Sequence, residues 1–157
     1  MILGADVDTV RAGNRRGNVL IALAWPQHVH HQAAHRWFTK TGGKSWATCA
    51  IKQLAFVRIS SNPAIVADAV SPTEASRVLL AITRVFGHRF WSDAVALHQI
   101  EEMHSLAIVG HRQVTDAYLV GLARHHKGRL ATFDRGLKEF ASSMKEPRGA
   151  IELLESR

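Results

Sequence analysis

The chain has a single cysteine, Cys49, so no internal disulfide can staple it. A reducing compartment, the cytoplasm, is therefore expected, and Cys49, standing in an apolar run, reads as a small buried residue. No apolar run approaches the roughly 18 residues that a membrane-crossing helix needs. Met1-Ile2-Leu3-Gly4-Ala5-Asp6 carries an acid where a secretory leader carries basic residues, and no long apolar segment follows, so no leader is expected. The chain also lacks a Gly-rich phosphate loop, a Ser-His-Asp order and a Cys-x-x-Cys pair, which removes the commonest motif-borne nucleotide, acyl-transfer and redox chemistries. No internal repeat, low-complexity segment or dividing linker is visible. Residues 1–157 are expected to form one domain with a genuine core. Acids are scarce: 13 Asp and Glu face 20 Lys and Arg, for a net charge of +7 and a pI near 10.3. That imbalance favours a polyanion such as RNA or DNA, or an acidic protein, without choosing between them.

What is present is a chain of short apolar runs alternating with helical patterns. Met1 to Ala5 reads as a first strand, and Arg11 to Gly17 as a loop. Asn18 is a good cap for a helix over Val19–Trp25, which Pro26 closes. A second helix is expected over 28–39, a turn at Gly42-Gly43, a strand over Trp46–Ile51 and a helix over Lys52–Ser60. Ser71-Pro72-Thr73-Glu74 is a capping box with proline in the first turn, opening a helix to about Phe86. Arg89-Phe90-Trp91 reads as a strand, 95–103 as weakly helical, 107–110 as a short apolar piece, 135–144 as a helix that Pro147 breaks, and Ala150–Leu154 as a last edge strand. The alternation argues for a layered α/β fold with a mainly parallel sheet.

The stretch from Val114 to Leu137 organises the rest. A helix with Ala117, Leu119, Val120, Leu122 and Ala123 as its stripe ends at Lys127-Gly128, with glycine expected in the left-handed position. Leu130 to Phe133 follows as a strand. Asp116 stands at the helix start and Asp134 at the strand end. The helix climbs about 15 Å at ~1.5 Å per residue, and the strand returns over a similar distance, so both acids are expected at the carboxyl end of the strand. Asp6, at the end of the first strand, is expected at the same end of the sheet. Three carboxylates together repel one another and need a cation to stay ionised, and hard oxygen donors suit Mg²⁺ or Mn²⁺. In a basic protein such an ion would activate water against a phosphodiester. The plain alternative is that these aspartates are helix caps and turn formers. His28, His31 and His35 share a helix face by spacing, but no cysteine or acid accompanies them, and a polar, half-exposed face is the simpler reading than a zinc site. His125-His126 ends a helix, where positive charge is favourable. The four tryptophans are spread out, which suits core packing rather than a base-stacking platform.

Several segments together resemble the PIN-domain toxins of VapC type. They are Asn18 through Trp25, Thr48-Cys49, Phe56-Val57-Arg58, Ser61-Asn62-Pro63, Gly87-His88-Arg89-Phe90-Trp91, Val114-Thr115-Asp116-Ala117-Tyr118-Leu119 and Leu130-Ala131-Thr132-Phe133-Asp134. The resemblance spans about Asn18 to Leu137. It implies a three-layer α/β/α fold with a mainly parallel sheet, and a Mg²⁺-dependent ribonuclease that cleaves an RNA such as tRNA or rRNA. It also implies a homodimer held inactive by a VapB-type antitoxin. Asp6, Asp116 and Asp134 would hold the ion and serve as the catalytic acids. Thr115 and Thr132 would position water or phosphate oxygens, although Thr115 is equally explained as a helix cap. Arg112, Arg124, Arg129, Arg135 and Lys138 lie near these acids in sequence and are candidates for RNA phosphate contacts. Two positions depart from the family pattern. Arg16 stands where an acid usually precedes the Asn that begins the first helix, leaving Asp6, or Asp8, as the first ligand. Gln53 stands where many members carry Glu. Asp93 is a further candidate for the acidic end. The alternatives are a PIN-like domain that only binds RNA or antitoxin, and a DNA-directed metal nuclease.

Overall fold

The computed structural model describes residues 2–3, 18–40, 44–104, 108, 110–143 and 149–155. Asp6, Asp8, the 11–17 loop with Arg16, and the expected breaks at Gly42-Gly43 and Pro147 lie outside the described residues.

Among the described residues five short strands form one sheet in the order β3-β2-β1-β4-β5: β1 (Ile2–Leu3), β2 (Trp46–Cys49), β3 (His88–Trp91), β4 (Leu130–Thr132) and β5 (Ile151–Leu153). Every pairing is parallel, with Ile2 beside Ala47 on one side and Leu130 on the other. Parallel strands need crossover connections, and helices supply them on both faces. α1 (Val19–Ala24), α2 (His31–Lys40), α3 (Ala50–Ser60) and α4 (Pro72–Thr83) cover one face, with Leu20, Trp46, Phe56, Ala131 and Phe133 in its core. α5 (Arg112–His125) and α6 (Arg135–Ser143) cover the other, with Ala47, Leu119, Leu122, Leu130 and Phe140. Neighbouring strand residues divide between the two cores, as the two-residue period of a strand requires: Trp46 and Ala131 to one, Ala47 and Leu130 to the other. The result is the three-layer PIN-like α/β/α architecture. Among the described residues no helix is long and apolar enough to cross a membrane.

Local signals explain most boundaries. Asn18 Oδ1 accepts the Ile21 N–H at 3.2 Å, and α1 stops before Pro26. The Ser71–Glu74 box forms in both directions, with Glu74 Oε2 accepting the Ser71 N–H at 2.9 Å and Ser71 Oγ the Glu74 N–H at 3.2 Å. α4 ends at Thr83, short of the expected Phe86, and Gly87 turns the chain at φ +87°. The weakly helical 95–103 region becomes two 3-10 turns, Leu97–Gln99 and Glu101–His104.

Three expectations need correction. α2 begins at His31, because residues 26–30 form turns closed by the His28 carbonyl accepting from the His31 N–H at 2.9 Å. His28 is therefore not on the helix face with His31 and His35. α5 begins at Arg112, where the Gln113 side chain receives the Gly110 N–H at 3.1 Å. Thr115 thus lies inside the helix rather than capping it, and Asp116 lies a full turn in. At the other end of α5 the left-handed residue is Lys127, at φ +52°, not Gly128. Gly128 is required for a different reason: a Cβ there would lie 2.3 Å from the Trp91 ring. Trp91 in turn stacks on His126, ring centroids 4.5 Å apart.

Candidate active site

The strand order reverses its direction of growth between β1 and β4, and parallel α/β sheets bind ligands outside the carboxyl ends of the strands at such a point. α5 runs antiparallel to β4, which follows it after a short turn. The early turns of α5, and Asp116 with them, therefore lie toward the carboxyl end of β4. Asp116 is half-buried there and engaged by its surroundings.

Asp134 follows β4 by two residues and is half-buried. Its N–H is held by Thr132 Oγ1 at 3.0 Å, and its Oδ1 accepts the N–H groups of Gly136 at 2.8 Å and Leu137 at 3.4 Å. Asp134 is thus the cap of α6, as the plain alternative anticipated. Capping occupies one carboxylate oxygen. Oδ2 makes no hydrogen bond within the described residues and is available to an ion or a water. The Thr132 hydroxyl, 1% exposed, accepts the Asp134 N–H and so helps to hold the Asp134 main chain.

Asn18, at the entrance of α1, is 6% exposed, and its amide Nδ2 is buried without a hydrogen-bond partner among the described residues. A buried donor of that kind calls for an acceptor such as a water or carboxylate. Two carboxylates toward one end of the sheet fit the chemistry of a hydrated hard cation. Among the described residues no group of three His, Cys, Asp or Glu side chains is close enough to hold a metal. The third expected donor, Asp6, lies outside them.

At the end of β2 the polar groups close on one another. Gln53 Nε2 donates to Thr48 Oγ1 at 3.0 Å, and the same hydroxyl is 2.9 Å from His88 Nε2. Burial holds the His88 imidazole below its ordinary pKa, so the arrangement that fits is Thr48 donating to a neutral ring. Gln53, at the position where a carboxylate was weighed, therefore serves the fold through its amide. Lys52 beside it is fully buried, 0% exposed, and takes part in interactions there. Burial pushes the Cys49 thiol up, opposed by the Lys52 N–H and ammonium and assisted by the Asp93 carboxylate. Asp93 is itself pushed up by desolvation. Burial also raises the Tyr118 hydroxyl, with Asp93 the next cause. Asp93 thus lies at this same end of the sheet, near α5 two residues from Asp116 along the helix.

The cations divide. Arg135 and Lys138 stand exposed in the first turns of α6, beside Asp134. Arg124 and Arg129 do not: one is in the last turn of α5, paired with Glu101 at 3.3 Å, and the other precedes β4, so both belong to the opposite end of the sheet. Sequence proximity misled here because a helix and a strand separate these residues from the acids. The Arg112 main chain opens α5.

The histidines divide too. His31 Nδ1–H donates to the Ala22 carbonyl at 2.8 Å and His35 Nε2–H to the Leu23 carbonyl at 3.0 Å, so both cap the end of α1. His30, which the i, i+3, i+7 spacing passes over, lies flat on Phe133 with ring centroids 4.4 Å apart. No sequence signal links residue 30 to the residue before Asp134. The tryptophans serve packing and cross-links, as expected: Trp25 donates to Ser60 Oγ at 2.9 Å and Trp37 to Glu152 Oε1 at 2.7 Å.

No protein-family model matches the chain. Curated proteins do. Over 137 residues, 87% of this chain, it is 44% identical to Ribonuclease VapC38 of Mycobacterium tuberculosis (strain ATCC 25618 / H37Rv), of which the match covers 94%. Ribonuclease VapC39 of the same strain is also 44% identical over 137 residues, with 95% of that protein covered. Ribonuclease VapC29 of the same strain is 43% identical over 120 residues, 76% of this chain and 84% of that protein.

Proposed function

The chain belongs to the VapC family of PIN-domain ribonuclease toxins, and from that premise we propose that it is a Mg²⁺-dependent endoribonuclease whose site is the carboxyl end of β1, β4 and the start of α5. The observation that carries the reading is the direction of α5 against β4, which puts Asp116 toward the end of the sheet where Asp134 holds an uncommitted oxygen. Asp116 and Asp134, with Asp6 as the third acid, are the residues to hold the ion. When bound, the ion lowers the pKa of an attacking water and offsets charge on the phosphate. The protein does the rest. Asp134 is fixed by Thr132 and by the first N–H groups of α6, so its free oxygen is presented in one orientation. Asn18 offers a buried amide donor at the start of α1. Arg135 and Lys138 offer charge for an incoming phosphate backbone.

The partners follow from the same premise. The substrate is RNA, tRNA or rRNA among them, and a VapB-type antitoxin holds the enzyme inactive in the cytoplasm as part of a homodimeric toxin. Exposed apolar side chains on α3, α4 and the turn after it, including Leu54 at 71% and Phe86 at 87%, suit a protein partner. The whole chain is taken as one PIN-like domain.

Cleavage of tRNA against duplex DNA, with and without Mg²⁺, tests the reading, with Asp116→Asn as control. RNA cleavage that requires Mg²⁺ and is lost in Asp116→Asn is expected. Cleavage untouched by that substitution would falsify the site assignment, and preference for duplex DNA would favour a DNA-directed nuclease. A second reading, a domain that binds RNA or antitoxin without cutting, is favoured by the commitment of the Gln53 amide to Thr48, which leaves that position without charge. RNA binding with no cleavage selects it.

A further inference from the structure

We propose that the outward side of α3 and α4 is a docking surface for an acidic amphipathic helix of a protein partner. The proposal does not depend on the nuclease reading above. α3 and α4 pack against each other on one face of the sheet and turn their apolar sets inward, Phe56 from one, Ala75 and Leu79 from the other. A surface helix of that kind ordinarily shows water a polar side. α4 does not. Arg77, Leu80, Ala81 and Arg84 are all exposed and recur at i, i+3, i+4 and i+7, one stripe on the side away from the sheet. Leu80, within that stripe, is 51% exposed. Leu54 stands exposed on neighbouring α3, and Phe86 in the turn just past Arg84. A single exposed leucine means little. Three large apolar side chains in one helical layer mark a contact surface.

Charge selects the partner. Between Ala50 and Trp91 the chain has two acids, Asp68 and Glu74, and both are already engaged. Asp68 Oδ2 accepts from Gln27 Nε2 at 2.7 Å. Glu74 Oε2 accepts from the N–H and hydroxyl of Ser71, with Arg77 a lesser influence on it. The same segment carries Arg58, Arg77, Arg84 and Arg89, all exposed. A second copy of this chain would set arginine against arginine across the contact, and like charges so placed are costly. RNA would neutralise the arginines but leave Leu54, Leu80 and Phe86 in water. A helix with leucines along one stripe and glutamates flanking them answers both halves of the pattern, in the manner of helices that lay an apolar face into a groove. The surface also stands apart from the acids of the site. α4 leads into β3, and β3 is three strands from β4, about 14 Å at ~4.8 Å per strand.

The probe is a fluorescein-labelled synthetic peptide of about 18 residues, long enough to hold a helix, with leucine repeating at helical spacing and glutamate on either side. Its twin carries lysine in place of every glutamate. Anisotropy with the full chain should show saturable binding of the acidic peptide. The lysine twin should bind about tenfold more weakly or worse, and the gap should shrink as salt is raised. Leu80→Ser and Arg84→Glu should each weaken the acidic peptide about tenfold. Arg77→Glu combined with Arg84→Glu should turn the preference toward the lysine twin. These positions are exposed, so circular dichroism and melting should match the parent. No binding of the acidic peptide, equal binding of the twins, or binding untouched by Leu80→Ser and Arg84→Glu would each overturn the proposal. Two further outcomes would give the surface to another occupant and overturn it as well. One is a dimer in the parent that Leu80→Ser turns into a monomer by analytical ultracentrifugation, which marks a face between copies. The other is a labelled hairpin RNA that binds the parent and binds the double variant about tenfold more weakly.

Discussion

At the end of β4 a carboxylate caps a helix with one oxygen and keeps the other unspent. At the end of β2, two strands away, the Thr48 hydroxyl links the Gln53 amide to the His88 imidazole. Both groups sit where the strands of a parallel sheet deliver their residues, yet only the first leaves a carboxylate oxygen unspent. A buried polar cluster that closes on itself adds rigidity and offers a ligand little. A capped acid with a spare oxygen offers both a fixed geometry and a free ligand position. The contrast divides the carboxyl end of this sheet into a half with a carboxylate oxygen left over and a half whose polar groups bond to one another.

The sharpest way to break that division is Asp134→Asn. Asparagine caps a helix about as well as aspartate, so Oδ1 can keep its bonds to Gly136 and Leu137 and thermal unfolding should change little. The charge on the spare oxygen is lost, and the cleavage rate should fall about 100-fold or more, as for a disrupted metal site. A parallel loss of stability and rate would mean that the residue is only a cap. Thr48→Val is the converse. It strands the Gln53 amide and His88 in a buried setting, which costs about 1–3 kcal/mol. Denaturant unfolding should show that loss, while the rate per folded molecule holds.

Gln53→Glu is a finer probe. A carboxylate cannot donate to Thr48, so the hydroxyl must turn toward it and His88 must become the donor. The expected outcome is a destabilisation smaller than that of Thr48→Val, about 1 kcal/mol, and an upward move of the His88 titration, followed by NMR. A gain in Mg²⁺-dependent rate would instead move position 53 into the catalytic half. The smallest effect is on pH. The folded His88 titrates below its ordinary 6.5, so the unfolded chain takes up its proton first as the solution is acidified. The stability this contributes is present above about pH 6.5 and is lost as the pH falls through the depressed value. The melting temperature should therefore be lower at pH 5.5 than at pH 7.5, and His88→Gln should narrow the difference.

The comparison also shows which features could be read without coordinates. Asn18, the Ser71–Glu74 box and the fall of Asp134 after β4 were legible because each signal spans only a few residues and acts on its own backbone. Asp116 was assigned to the right helix, but its start was misplaced. The apolar stripe of α5 begins at Ala117, while the side chain that fixes its beginning is the polar Gln113. By its place after the helix Gly128 reads as a left-handed turn residue. The physical cause is the Trp91 ring, which packs where a Cβ would sit, and nothing near residue 128 announces it. Arg124 and Arg129 were counted with the acids because a one-dimensional neighbourhood ignores the length of a helix.

The order of strands and helices, the net positive charge and the fall of Asp116 and Asp134 toward one end of the sheet are determined by the sequence alone, since they follow from periodicity, composition and chain direction. Which polar groups are spent and which remain was decided by tertiary structure. Thr132, Gln53, His31 and His35 each bond to a neighbour that folding supplies. His30 looked ordinary, and folding set it against Phe133. Hydrogen-bond capacity is finite and is allotted by proximity in space, and the chain brings these partners together only when its layers close.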